Sequence, residues 1–174
     1  MNPIAVLVMG SESDLADAIT VEEKLADFNV PTTRHILSAH RNTGDVIEMV
    51  HDADQRYSPL VYVAVVGKKP DLGPVIAGST DNPVVMYVKK TDPVDFYSHH
   101  LLSALDAPPG ISYAVFSDPA NAALCVAKIM GLHDPNVRKE VGAYRVDRAG
   151  RNTAANMKYS SMTLAQVKDA IKNK

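Results

Sequence analysis

The 174-residue chain has one cysteine and no tryptophan, and only 6% of its residues are aromatic. The lone Cys125 cannot close an internal disulfide, and it excludes zinc or iron–sulfur sites built from several cysteines. No apolar run approaches the roughly 18–20 residues of a membrane span. No basic stretch followed by a cleavable apolar segment opens the chain. Charge of one sign is missing too. The 18 basic and 20 acidic residues give −2, whereas a nucleic-acid scaffold is as a rule clearly basic. These absences make a cytoplasmic protein with neither membrane nor nucleic-acid partner the expectation. What remains is the composition of an ordinary globular protein, 46% hydrophobic and 22% charged, of a length suited to one domain with a sizeable core.

The charge that is present is segregated. Residues 1–131 carry 9 basic and 16 acidic side chains, a balance of −7, and residues 132–174 carry 9 and 4, a balance of +5. Contact between the acidic core and the basic tail, within or between subunits, is expected from this split.

Short apolar runs alternate with helical stripes. Residues 4–9, IAVLVM, form a continuous apolar run, the mark of a strand covered on both faces. Residues 32–37, 60–66, 84–88 and 111–116 read as four more strands. Between them, Leu15, Ala18, Ile19, Leu25 and Ala26 recur at helical spacing, with Glu22 interrupting, as do Val46, Met49, Val50 and Ala53. Asn29 and Ser58-Pro59 are the expected helix stops. Leu72, Val75 and Ile76 suggest a short helix with Pro74 in its first turn. A helix over 93–104 follows Asp92-Pro93, and Asp118-Pro119 caps another that Gly131 closes. The spacing predicts two helices in the tail, one carrying Val137, Val141 and Tyr144 and one carrying Leu164, Val167 and Ile171, joined by a polar stretch over 149–160.

Five strands with intervening helices imply an α/β fold, a three-layer α/β/α sandwich with a flavodoxin-like parallel sheet. Residues 1–131 would form the ligand-binding core, and residues 132–174 a helical C-terminal extension of the same domain. Ligands of such sheets bind beyond the carboxyl ends of the strands. That rule selects the loops at 10–14, 38–41, 67–71, 89–93 and 117–119.

The first loop reads Gly10-Ser11-Glu12-Ser13-Asp14. Gly10 lets the chain turn closely around a ligand. The N–H groups of the following helix make an anion site, to which Ser11 and Ser13 add donors. Asp14 would repel a phosphate and suits a sugar hydroxyl, although Ser or Asp here also fits simple capping. The second loop reads Ser38-Ala39-His40-Arg41. Arg41 offers a donor fork for phosphate, and His40 can exchange a proton near neutrality.

The other polar residues have plainer readings. The adjacent His99 and His100 point to different helix faces and carry no metal. His35, His51 and His133 read as structural or exposed. Cys125 reads as buried, and Asp118 as a cap. Lys89-Lys90 reads as a solvated turn rather than an aid to anion attraction.

These two motifs, in this order and each ending a strand, resemble the 5-aminoimidazole ribonucleotide carboxylases and N5-carboxyaminoimidazole ribonucleotide mutases of purine biosynthesis. Further similarity runs through Val63-Ala64-Val65-Val66-Gly67, Leu72-Gly73-Pro74-Val75, Asn82-Pro83-Val84, Pro109-Gly110-Ile111 and Asn121-Ala122-Ala123-Leu124. The resemblance implies a phosphate held by Ser11, Ser13, Ser38 and Arg41, a ribose on Asp14, and proton transfer by His40. Gly10, Ala39, Gly67, Lys68, Lys69 and Leu72 complete the implied substrate-binding set. It implies no cofactor and no metal, and a homo-oligomer, octamer or tetramer, taking a ribonucleotide and carbon dioxide.

Mutases of this family carry Gly-Gly and then Ala-His-Leu-Pro-Gly in the third loop. Carboxylases that use carbon dioxide directly, class II, carry Gly-Arg-Ser-Asn leading into Leu-Gly-Pro. This chain reads Gly67-Lys68-Lys69-Pro70-Asp71-Leu72-Gly73-Pro74, closer to the carboxylases, whereas Arg41 is more like the mutases. Lys68 to Asp71 depart from both patterns, and Asp106 stands where the family resemblance leads one to expect Arg. Lys68 and Lys69 would then restore the missing positive charge. A non-catalytic nucleotide-binding relative is the remaining alternative.

Overall fold

A computed structural model describes residues 2–92, 94 and 96–172. Its centre is a five-stranded parallel sheet in the order β2-β1-β3-β4-β5. The strands are β1 (Asn2–Met9), β2 (Thr32–Ile36), β3 (Tyr57–Val66), β4 (Val84–Val88) and β5 (Ala114–Phe116). This is the flavodoxin-like order, in which the chain reverses its direction of winding next to β1.

The apolar runs become central strands because successive side chains serve opposite faces. Ala5, Leu7, Met9, Val61, Val63, Val65, Val85 and Tyr87 point to one side, against α1 (Leu15–Asp27) and α5 (Pro119–Met130). Val6, Val8, Leu60, Tyr62, Ala64, Val66, Val84 and Met86 point to the other, against α2 (Thr43–Arg56) and α3 (Leu72–Ala77). Alternation is thus present, but both of its phases are apolar.

Helix α2 buries all four residues of its expected stripe. Helix α1 turns a slightly different face inward. Ala18, Val21 and Leu25 are buried, whereas Ile19 and Ala26 are exposed. Glu22 does not break this helix, because its carboxylate accepts from Thr32 Oγ1 at 2.6 Å and pairs with Arg34 at 3.1 Å on β2. Asn29 ends the segment at φ 58°, a left-handed geometry that Asn tolerates.

Three expectations are corrected. Ser58-Pro59 does not precede β3 but lies within it, since the strand already starts at Tyr57 beside Asn2. Strand β5 keeps only three residues, because Ile111 to Tyr113 do not pair with β4. The polar stretch over 149–160 is not a linker. It belongs to one 25-residue helix, α6 (Pro135–Tyr159). Ala, Arg, Met and Lys there favour helix without needing an apolar face.

The expected helix over 93–104 appears as a π-helical turn, Phe96–His100, continuing into α4 (Leu101–Leu105), while Pro93 and Asp95 lie outside the described residues. Asp118 caps α5 as expected, accepting from Asn121 N at 2.9 Å. Val137, Val141 and Tyr144 hold α6 to the core, the Tyr144 ring meeting Phe28 edge-on at 5.4 Å. Within the chain this docking is apolar, and Arg151 spends its charge on Asp147 one turn earlier. Beyond Tyr144 no residue of α6 or of α7 (Leu164–Lys172) is buried. Among the described residues no helix is long and apolar enough to cross a membrane.

Candidate active site at the carboxyl edge of the sheet

Four strand ends carry the site. After β1, Ser11 opens a tight 3-10 turn, Glu12–Asp14. Its Oγ accepts from Ser13 N at 3.3 Å and from Ser13 Oγ at 3.2 Å. After β2, Ser38 N donates to Asn42 Oδ1 at 2.7 Å, and Ser38 Oγ accepts from His40 N at 3.3 Å. Thr43 Oγ1 closes the turn on Ala39 O. Arg41 ties the two loops together, its Nη2 donating to Gly10 O at 2.7 Å.

After β3, Gly67 runs so close to its neighbours that an added Cβ would lie 2.7 Å from Lys89 Cε and 3.1 Å from Asp14 Oδ1. A side chain there would push the β4 loop off the β1 loop. Further along, a Cβ on Gly73 would meet Met86 Sδ at 2.6 Å. Helix α3 therefore sits tight on β4 and fixes where the third loop returns.

These loops enclose a cavity of about 630 Å³. It is lined by Gly10, Ser11, Ser13, Asp14, Ser38, Ala39, His40, Arg41, Gly67, Lys68, Lys69 and Leu72. Every residue expected in the site from sequence is thus brought to one place. Val66, Lys89 and Thr91 complete the wall.

Lys89 was not expected there as more than a turn residue, and that reading is corrected. Its ammonium donates to Asp14 Oδ1 at 2.7 Å and Ser13 O at 3.1 Å, with Asp17 Oδ2 at 3.6 Å. Burial works against its charge, but the hydrogen bond and charge of Asp14, then those of Asp17, outweigh burial and hold its pKa above the ordinary lysine value. Asp14, 6% exposed, and Ser38, 8% exposed, are the buried polar residues of the described chain. Tyr87 extends the network, donating to Asp17 Oδ1 at 3.2 Å. Its phenol is pushed up to about 12, first by burial and then by Asp17.

Asp71 is the second unexpected partner. Its Oδ2 lies 2.7 Å from His40 Nε2, with both side chains about half exposed. Sequence spacing gave no sign of it, because 31 positions separate the two. Lys68, Lys69 and Asp71 also face an adjoining cavity of about 640 Å³ with His99, His100 and Asp106. The two lysines and the reversed charge therefore share one space.

The plainer readings stand for the residues around the site. Among the described residues no cluster of three His, Cys, Asp or Glu side chains could hold a metal. His100 Nδ1 is 3.4 Å from Thr91 Oγ1. Burial lowers the pKa of His35. Burial also raises the Cys125 thiol, against a smaller pull from Lys128, which suits an inert cysteine.

The AIR carboxylase family model matches residues 4–151. A phosphoribosylaminoimidazole carboxylase of Archaeoglobus fulgidus is 31% identical over 144 residues, 83% of this chain and 78% of that protein. The protein of the same name in Treponema denticola is 28% identical, covering 86% of this chain and 92% of that one. A probable multifunctional protein ADE2 of Caenorhabditis elegans is 36% identical, but this chain spans only 30% of its length. The crystal structure of Treponema denticola PurE superimposes with a TM-score of 0.86 at 26% identity, covering 91% of this chain and 99% of that one. The strand order, the two strand-end motifs and a match over most of the chain agree: the protein belongs to the AIR carboxylase family.

Proposed function

We propose that the protein carboxylates 5-aminoimidazole ribonucleotide at carbon 4 with carbon dioxide, in purine biosynthesis, as a class II-like carboxylase. The observation that carries this reading is the convergence of four strand-end loops, holding every residue the family resemblance implies, on one cavity with His40 in its wall. In this reading Ser11, Ser13, Ser38 and Arg41 receive the phosphate. Asp14, held by Lys89, receives a ribose hydroxyl.

The chemistry needs one proton acceptor. Carbon 4 of the electron-rich imidazole attacks the carbon of carbon dioxide, and one C=O electron pair becomes carboxylate charge. The tetrahedral carbon 4 then loses its proton to His40, and the C–H pair restores the aromatic ring. Partial exclusion of water by Val66 and Leu72 would keep carbon dioxide near the ring. No step requires a metal or organic cofactor.

The third loop supports direct use of carbon dioxide: it lacks the mutase histidine and keeps Leu72-Gly73-Pro74, whose glycine the Met86 contact demands. Arg41 favours a second reading, the mutase acting on the N5-carboxylated nucleotide. The test supplies the purified protein with each nucleotide separately. Turnover with 5-aminoimidazole ribonucleotide and carbon dioxide alone supports the carboxylase. Turnover only with the carboxylated nucleotide makes it a mutase, and binding without turnover of either makes it a non-catalytic relative. We further propose residues 1–131 as the catalytic unit, with residues 132–174 serving homo-oligomer assembly. Leu164, 71% exposed, and Ile171, 64% exposed, leave an apolar face on α7 that supports such a role.

A further inference from the structure

We infer that Asp71 is a positioning residue for His40: it holds the imidazole with Nε2 protonated and leaves Nδ1 as the nitrogen that takes the proton from carbon 4. The inference rests on the carboxylation reading for its chemistry, and on this chain's own rewritten loop for its geometry.

Asp71 stands at the N-cap of α3, where an Asp side chain ordinarily accepts from the first-turn N–H groups. Here it makes no such bond. Its Oδ2 lies instead 2.7 Å from His40 Nε2, across from the second loop. The helix forgoes a cap that its sequence offers, and the carboxylate is spent on the one imidazole that lines the cavity. As a stabilising ion pair the contact counts for little, because both partners are about half exposed and screened. Its geometric effect does not depend on that strength. An ionised carboxylate only accepts, so the bonded Nε2 carries the hydrogen and the lone pair resides on Nδ1.

Two neighbours bear on Asp71. The Tyr113 hydroxyl is buried without a hydrogen-bond partner among the described residues. Burial, then the charges of Asp71 and Asp106, keep its proton on. Lys68 and Lys69 line the same adjoining cavity as Asp71 and offset its negative charge.

In the proposed step the C4–H bond breaks, its electron pair returns to the ring, and the proton bonds to Nδ1. His40 then becomes an imidazolium that Asp71 stabilises while remaining ionised. The proton leaves to solvent before the next turnover, so nothing is oxidised or reduced.

The test compares Asp71→Ala and Asp71→Asn with the wild-type full chain by steady-state kinetics and by nitrogen-15 NMR of histidine. The inference expects kcat to fall roughly 10- to 100-fold with KM for the ribonucleotide nearly unchanged. The His40 signals should move from an Nε2–H tautomer to a mixture. An unchanged or higher kcat would overturn it, the latter making Asp71 a latch, and so would a KM that rises in step with the loss of kcat. Wild-type protein inactive with both nucleotides would sink the carboxylation reading instead. The tautomer signature, which needs no turnover, would then decide the Asp71 assignment alone.

Discussion

Removing the charge of Lys89 while keeping its stem tests whether the buried pair with Asp14 holds the site together. Lys89→Met preserves packing along β4 but leaves the Asp14 carboxylate, 6% exposed, facing a thioether. Breaking a buried ion pair by removing one partner costs about 3–5 kcal/mol. The Lys89 side chain is 18% exposed, so water recovers part of that, and about 2–3 kcal/mol is the reasoned loss. For a chain of this size that lowers Tm by roughly 4–12 °C at neutral pH. Thermal unfolding followed by circular dichroism measures it. The companion Lys89→Met/Asp14→Leu removes both charges and should recover most of the loss, because an uncompensated carboxylate causes it. The pair also fixes a pH dependence. The folded-state pKa of Lys89 is raised, so its contribution is fully present below the ordinary lysine value of about 10.5 and fades as pH rises through the folded value. A single-variant Tm within about 1 °C of wild type, or a double variant no more stable than the single, would refute the reasoning.

Three further expectations can be measured directly. His40→Asn should abolish turnover, by roughly 100-fold or more, with nucleotide affinity by titration calorimetry largely kept; equal loss of both would count against proton transfer. The raised Tyr87 pKa, about 12 against an ordinary 10, makes native stability fall as pH climbs through that window. Tyr87→Phe should flatten that fall in denaturant titrations at a series of alkaline pH values, and an unaltered slope would contradict it. Asp106→Arg should leave kcat/KM within a few-fold of wild type if Lys68 and Lys69 already supply the positive charge of the cavity they share with Asp106; a large gain would show that they do not.

The parts of the fold legible in the sequence are those in which one segment suffices. The apolar runs of β1, β3 and β4 announce strands covered on both faces, and the Val46-to-Ala53 stripe announces α2. Gly10 to Asp14 and Ser38 to Arg41 were legible as a site because each polar cluster directly follows such a run. What escaped depends on residues distant in sequence. Lys89 reads as half of an exposed Lys-Lys turn until the β1-β3-β4 adjacency puts it 2.7 Å from Asp14. Asp71 reads as a cap until the third loop folds over the second. The tail misled for a different reason: residues 149–160 lack an apolar period, which removes the pattern of a packed helix but not the propensity for one.

The two crowded glycines bear on how this enzyme family can change its chemistry. Gly67 is pinned by Lys89 and Asp14, and Gly73 by Met86, so neither accepts a side chain without moving a neighbouring element. Residues 68–71 between them face open cavities instead. They form an exchangeable cassette between two fixed posts, which is where this chain has been rewritten as Lys-Lys-Pro-Asp. A library confined to those four positions would vary what sits beside His40 at little cost to folding, whereas one that reached a residue further in either direction would be purged by instability first.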